Sequence, residues 1–155
     1  MRLAQGQLDF DTKPREIREI TAEVANWLEG RGIVRGQLSL YIPHTSASLL
    51  IQENASPEVR HDLDAFLRRL VPENPSLYRH NDEGPDDMPA HIRSALLPTQ
   101  LAIPVAGGRL QLGTWQGIFL FEHRASPHRR TVMLTLLGEA GVSPFSQSGE
   151  EEMKS

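Results

Sequence analysis

The sequence predicts one α+β domain, in which antiparallel or mixed β-sheets form a sandwich-like body packed with two to three helices. Three observations predict it. Segments with period-two apolar alternation outnumber those with helical spacing, and the two kinds do not alternate regularly as a doubly wound sheet requires. The chain has 155 residues, 39% hydrophobic and 23% charged, enough for one buried core. It has no cysteine, so no disulfide compensates for a small core. The domain is expected over 1–143, followed by a polar, acidic tail over 144–155 expected to be disordered.

Leu8 and Phe10 alternate with polar neighbours and predict an N-terminal strand. Between Arg15 and Ile20 the pattern is ambiguous, because Ile17 and Ile20 fit helical spacing better than a strand. Thr21 is placed as the cap of a helix reaching about Glu29, with Val24, Trp27 and Leu28 on one face and Gly30 and Gly32 stopping it. From Gly36 to Ile42 the alternation is clean, with Leu38, Leu40 and Ile42 on one side and Gln37, Ser39 and Tyr41 on the other. Ala47 to Gln52 reads as a short strand.

Ser56-Pro57 opens a second helix, as cap and first helical residue, and Val59, Leu63, Phe66, Leu67 and Leu70 follow at helical spacing until Pro72. Glu73 to Pro89 is a long polar segment, a length that in compact domains usually carries function. A short helix is expected after Pro89, with Ile92, Leu96 and Leu97 facing the core. Strands are then predicted over Gln100–Val105, Arg109–Leu112, Gly117–His123 and Arg130–Leu137, with Gly107-Gly108 as a hairpin turn.

The formal charge of -4 and pI near 5.8 argue against a nucleic-acid partner, whose binders carry a basic face. Arg124, Arg129 and Arg130 are the best basic patch. No apolar run approaches the ~20 residues of a membrane span, and Met1 to Lys13 has no signal-like apolar stretch. A cytoplasmic location without membrane association is expected. GxSxG, GxGxxG, P-loop and HExxH patterns are all missing from the sequence. Without cysteine, any metal must be held by imidazole, carboxylate or backbone oxygen.

Polar residues with chemical potential fall in a few places. His44 ends a strand and precedes Thr45, Ser46 and Ser48, whose hydroxyls suit phosphate oxygens or a turn that bonds its own backbone. Glu53 follows an apolar strand and suits a general base, a metal ligand or a solvated loop acid. The run Tyr78 to Asp87 supplies Arg79, His80, Asn81 and Asp82 among its polar groups. Its carboxylates suit magnesium and its imidazole suits zinc. His91 lies early in the short helix, within reach of that run or simply exposed. Trp115 offers a stacking face and Gln116 a hydrogen-bonding amide, unless they only close a hairpin. His123 should share a strand face with Phe119 and Phe121, as a satisfied core histidine or as a ligand.

Three ordered blocks carry a resemblance. His44-Thr45-Ser46-Ala47-Ser48 with Gln52-Glu53-Asn54, Arg79 to His91, and Leu112 to Gly117 continuing to Glu122-His123-Arg124 resemble the YjbQ-like family of secondary thiamine-phosphate synthases. The resemblance implies a homotrimer with a polar pocket gathering His44, His80, His91 and His123. It also implies an enzyme joining an aminopyrimidine methyl diphosphate to a thiazole phosphate with release of diphosphate. On this reading His80, His91 and His123 hold a divalent metal, zinc or magnesium. Thr45, Ser46, Ser48, Arg79, Asn81, Trp115 and Gln116 bind the phosphorylated substrate, and His44, Glu53 and Asp82 are catalytic. Two alternatives stay open: a zinc-type hydrolase or lyase, since three imidazoles around an open metal position are hydrolytic hardware, and a ligand-binding protein without turnover.

Overall fold

A computed structural model describes residues 1–141; the predicted tail over 144–155 lies outside the described residues. Eight strands and three helices follow in the order β1 (Arg2–Asp11), β2 (Ile17–Glu19), α1 (Thr21–Glu29), β3 (Ile33–Tyr41), β4 (Ala47–Glu53), α2 (Pro57–Leu70), α3 (Asp87–Leu96), β5 (Gln100–Ala106), β6 (Arg109–Leu110), β7 (Gln116–Glu122) and β8 (Arg129–Ala140), with one 3-10 turn at Pro75–Leu77. The α+β sandwich expected from the sequence is the architecture found. A five-stranded sheet, β1-β8-β3-β5-β6, lies against a three-stranded one, β2-β7-β4, and the described strand pairs are antiparallel.

The alternation of β3 decides which side meets the core. Leu38, Leu40 and Ile42 are buried there with Val132, Leu134 and Leu136 of β8 and Ile103 and Val105 of β5, while Ala47, Leu49, Ile118 and Leu120 face them from the smaller sheet. Val24, Trp27 and Leu28 of α1 join this core. The other face of the smaller sheet is covered by α2, where Arg60 stacks on Phe119 and Leu63, Phe66 and Leu67 face Leu50 and Phe121 across an apolar cleft.

Several local expectations are corrected. The ambiguous segment before α1 is strand β2, because Ile17 and Glu19 pair with Phe121 and Phe119, and three residues are too few to nucleate a helix. Thr21 does not cap α1; its hydroxyl donates to Glu19 and accepts from the Ile118 amide, and it is already helical. Ser56 precedes α2 without a side-chain cap bond, and Glu53 Oε2 accepts from its amide instead. Helix α3 begins at Asp87, before Pro89. A proline in the first turn costs no hydrogen bond, since those N–H groups have no intrahelical acceptor. Gly107 and Gly108, both at positive φ, close the β5–β6 hairpin as expected.

This topology sorts the polar residues to two ends. The segment after β3, the start of β4, the end of β7 and the start of β8 meet at one end of the sandwich. The partners Glu53 and Gln116 mark the other end. The seven residues of β4 separate the two by about 20 Å.

Candidate functional site

The first end is organised by a buried ion pair. Glu122 Oε1 accepts from Thr12 Oγ1 at 2.7 Å and Arg130 Nε at 2.8 Å, and its Oε2 accepts from Arg130 Nη2 at 2.5 Å and the Arg124 amide at 3.1 Å. Burial works to raise this carboxyl, but the bonds from Arg130, Thr12 and the Arg124 amide hold it below its ordinary value. Arg130 Nη2 also donates to the Ser46 carbonyl and hydroxyl. The strand-end turn from His44 to Ser46 is therefore fixed from behind.

Helix α3 lies across this turn, with the Ser94 hydroxyl donating to the Ala47 carbonyl. One turn earlier, His91 Nδ1 is 2.8 Å from the Thr45 carbonyl. A carbonyl only accepts, so Nδ1 carries the proton. His91 Nε2 then faces Asp87 Oδ2 at 3.1 Å, and His80 Nε2 reaches the same oxygen at 2.9 Å. Glu83 completes a group whose four ligand atoms all lie within 4.8 Å of one another.

Asp87 is buried at the centre of this group, 1% exposed, and its Oδ1 pairs with Arg124 Nη1 at 3.1 Å. Burial pushes its carboxyl up, yet the His80 bond, the contact with Glu83 and the charges of His91 and Arg124 carry it below its ordinary value. Arg124 is itself held by Asp86 and the Glu83 carbonyl. Beside His91 opens a cleft of about 410 Å³, lined by His44, Thr45, His91, Ser94, Ala95 and Thr99.

The residues fit a divalent cation. With its Nδ1 proton committed to Thr45, a neutral His91 would point an Nε2 lone pair at a carboxylate oxygen, which is repulsive unless a proton or metal ion lies between them. Ligand atoms bound at about 2.0–2.2 Å to one ion stand roughly 3–3.5 Å apart; His80 Nε2 and His91 Nε2 stand 2.9 and 3.1 Å from Asp87 Oδ2, and all four ligand atoms lie within 4.8 Å of one another. The Nδ1–H···O=C bond is also the outer-sphere arrangement that orients metal-binding histidines.

The expected site residues divide unequally. His80 and His91 converge, whereas His123 stands outside the described group of convergent ligands. It is buried, its ring tilts against Phe121 at 4.5 Å, its Nε2 is bonded to Ser48 Oγ at 2.8 Å and its Nδ1 has no partner. Burial above all, with Arg93 nearby, lowers its pKa to about 3. Strand alternation sends it beneath the helices with Phe121, while its neighbour Arg124 reaches the acidic group.

Of the hydroxyls, Ser46 serves Arg130 and Ser48 serves His123, which leaves Thr45 exposed beside the cleft. Arg79 and Asp82 are exposed, and Asn81 Nδ2 holds its own turn by donating to Tyr78 and Pro75 carbonyls. Glu53, Trp115 and Gln116 lie at the far end. There Gln116 Oε1 accepts from the Gly113 amide and Trp115 is 63% exposed.

Glu83 and Asp87 join the converging group although the sequence reading, which saw that the carboxylates of this run suit magnesium, named only imidazoles for the metal. The signal was an acid four residues before His91, which falls on one helix face only if the helix starts before Pro89. The basic trio is neutralised, since Arg124 and Arg130 pair as described and Arg129 with Asp9 and Asp11.

A family model described as UPF0047 protein YjbQ-like matches residues 6–139. The chain belongs to this family. Among its UPF0047 relatives, the protein sll1880 of Synechocystis is 48% identical over 135 residues, covering 87% of this chain and 92% of that one. YjbQ of Escherichia coli O157:H7 is 47% identical over 136 residues, covering 87% and 98%. The crystal structure of hypothetical protein APE1520 from Aeropyrum pernix K1 superposes with a TM-score of 0.78 at 36% identity, covering 88% of this chain and 99% of the other. A YbjQ-like protein of unknown function from Sulfolobus solfataricus P2 shares the fold, with a TM-score of 0.81 at 24% identity over 89% and 99% of the two chains. Among the described residues no helix is long and apolar enough to cross a membrane.

Proposed function

We propose that this UPF0047 chain is a divalent-metal-dependent enzyme acting on a phosphorylated small molecule at the His80–Glu83–Asp87–His91 group. One observation carries the reading: two imidazole nitrogens converge on a single buried carboxylate oxygen while the His91 ring is oriented by a backbone carbonyl. Two imidazoles with carboxylates favour zinc or another transition ion over magnesium. A divalent ion there would neutralise phosphoryl oxygens as charge develops on them. Thr45 at the rim and Arg79 on the loop that carries His80 would receive the remaining phosphate oxygens. Arg124, by holding Asp86 and Asp87, keeps the ligand loop in place.

The reaction assigned from the family resemblance is thiamine-phosphate formation, in which the thiazole nitrogen displaces diphosphate from the aminopyrimidine methyl carbon. A second reading, a metal-dependent hydrolase or lyase, is favoured by the imidazole content of the ligand set. Glu53, Trp115 and Gln116 take no part in either reaction within one chain, because they lie at the far end of β4. A homotrimer in the cytoplasm completes the proposal on the resemblance alone, and light scattering giving the mass of three chains would support its assembly.

The test loads the purified chain with zinc or magnesium and supplies both thiamine precursors, then a panel of phosphoesters. Thiamine phosphate with released diphosphate supports the first reading. Turnover of phosphoesters alone moves the assignment to the second. Full metal occupancy without any turnover makes this a ligand-binding protein, and failure to bind either ion overturns the proposal.

A further inference from the structure

Strand β4 is an edge of the smaller sheet, and its outer side is only partly covered. The Asn54 amide donates to the Trp115 carbonyl in register with the β4–β7 pairs. Ser48, Leu50 and Gln52 therefore turn their N–H and C=O groups to β7, while Ala47, Leu49, Ile51 and Glu53 turn theirs outward. Some of the outward groups have partners. The Ala47 carbonyl accepts from the Ser94 hydroxyl, the Leu49 amide donates to the Pro98 carbonyl, and the Glu53 amide donates to Gln52 Oε1. The amide and carbonyl of Ile51 have no such partner among the described residues. Both are left open, as the pair that an added strand would bond.

The apolar cleft under α2 opens at the same place. Ile51 lines it beside Leu50 and Phe121, opposite Leu63, Phe66 and Leu67, and its volume is about 320 Å³. Gln52 is the one polar residue of that lining, and Phe66 is 53% exposed at its rim. Arg60, on the same helix three residues before Leu63, stacks on Phe119, the cross-strand partner of Leu50. Its Nε is buried without a partner. The nearby helix acid Asp64 is paired with Arg68 instead.

Open backbone groups call for a peptide rather than a hydrocarbon, apolar walls call for aliphatic side chains, and an unpaired guanidinium calls for a carboxylate. We propose that the cleft between α2 and β4 is a docking site for a short, extended acidic–apolar segment of a partner protein, which bonds the Ile51 amide and carbonyl as an added strand. The residues flanking the one opposite Ile51 fall on the Leu50–Gln52 face, so their side chains enter the cleft, and an acidic neighbour meets Arg60. Pro98 already holds the Leu49 amide and ends the added strand there. The inference is independent of the metal reading, since none of these residues belongs to the His80–Glu83–Asp87–His91 group.

The experiment is amide NMR of the full ¹⁵N-labelled chain, titrated with the capped peptide acetyl-Glu-Leu-Ser-Leu-Glu-amide. At saturation the Ile51 amide should shift and exchange its proton about tenfold more slowly, and the Leu50 and Leu63 amides should shift with it. N-methylation of the central serine removes the N–H offered to the Ile51 carbonyl, and lysines in place of the glutamates remove the carboxylates; each change should weaken binding about tenfold. Arg60→Gln should weaken the glutamate peptide about tenfold while leaving the lysine peptide no weaker, and Phe66→Ala should weaken both. The peptide changes are read on the unaltered chain, so the test does not depend on either variant folding. An unmoved Ile51 amide, undiminished binding of the N-methylated peptide, or equal affinity for the glutamate and lysine peptides would each overturn the inference. Octanoate binding at these residues without peptide binding would make the cleft a small-amphiphile site and overturn it as well.

Discussion

Replacing Glu122 with glutamine removes one buried charge and little volume. The carboxylate accepts from four donors, two at each oxygen: Thr12 Oγ1 and Arg130 Nε at Oε1, Arg130 Nη2 and the Arg124 amide at Oε2. A glutamine oxygen serves one pair, and its NH₂ group faces the other pair donor to donor. Arg130, buried and without its counter-charge, makes this the costly half-broken ion pair, worth about 3–5 kcal/mol. Urea unfolding at pH 7 measures it. The sign with pH follows from the depressed carboxyl: its contribution is present above the ordinary value of 4.5 and is lost as pH falls below it, so the penalty of Glu122→Gln should shrink in acid. Because Arg130 also holds Ser46, next to the Thr45 carbonyl that orients His91, metal affinity should fall by roughly 10- to 100-fold. The double variant Glu122→Leu with Arg130→Met should regain much of the stability but not the metal affinity. A loss below about 1 kcal/mol in the single variant would refute the energetic reasoning. Unchanged metal affinity would refute the link from the ion pair to the site.

Two further outcomes are expected. His123 has a folded pKa of about 3 against 6.5 for the free side chain, so below pH 6.5 the unfolded chain takes up a proton that the native state refuses. That contribution is complete above pH 6.5 and is lost at up to about 1.4 kcal/mol per pH unit on acidification; His123→Phe should remove this slope from the stability profile between pH 6 and 4, and an unaltered slope would contradict the buried neutral assignment. Trp115→Ala, at the opposite end of β4, should leave zinc affinity within about twofold and stability within ~0.5 kcal/mol; loss of metal binding would mean that the two ends communicate.

The strands with clean alternation were legible because their pattern and their packing agree. Leu38, Leu40 and Ile42 alternate in sequence and lie together in the core. Helix α2 was legible for the same reason, through Pro57 and its apolar spacing. Strand β2 was not, because three residues carry no period and the pairing partner Phe119–Phe121 lies a hundred residues away. At the site, His80 and His91 were legible as chemistry, but their common partner Asp87 was hidden by Met88-Pro89, which reads as a helix boundary and stands inside one. At His123 the face shared with Phe119 and Phe121 was legible from strand alternation, while the choice between core histidine and ligand was not. The same alternation that pairs it with Phe121 also buries it, and only the tertiary packing of α2 and α3 shows what covers it. Glu53, Trp115 and Gln116 are polar groups in suggestive company along the chain, yet β4 and β7 run antiparallel and carry them away from the histidines.

Metal titration by calorimetry, with elemental analysis of the bound ion, tests the central claim most directly. Wild type and His123→Phe should each bind a single equivalent of zinc, whereas Asp87→Asn and His91→Ala should lose at least about 100-fold in affinity. Zinc binding that survives in Asp87→Asn and His91→Ala but disappears in His123→Phe would contradict the account.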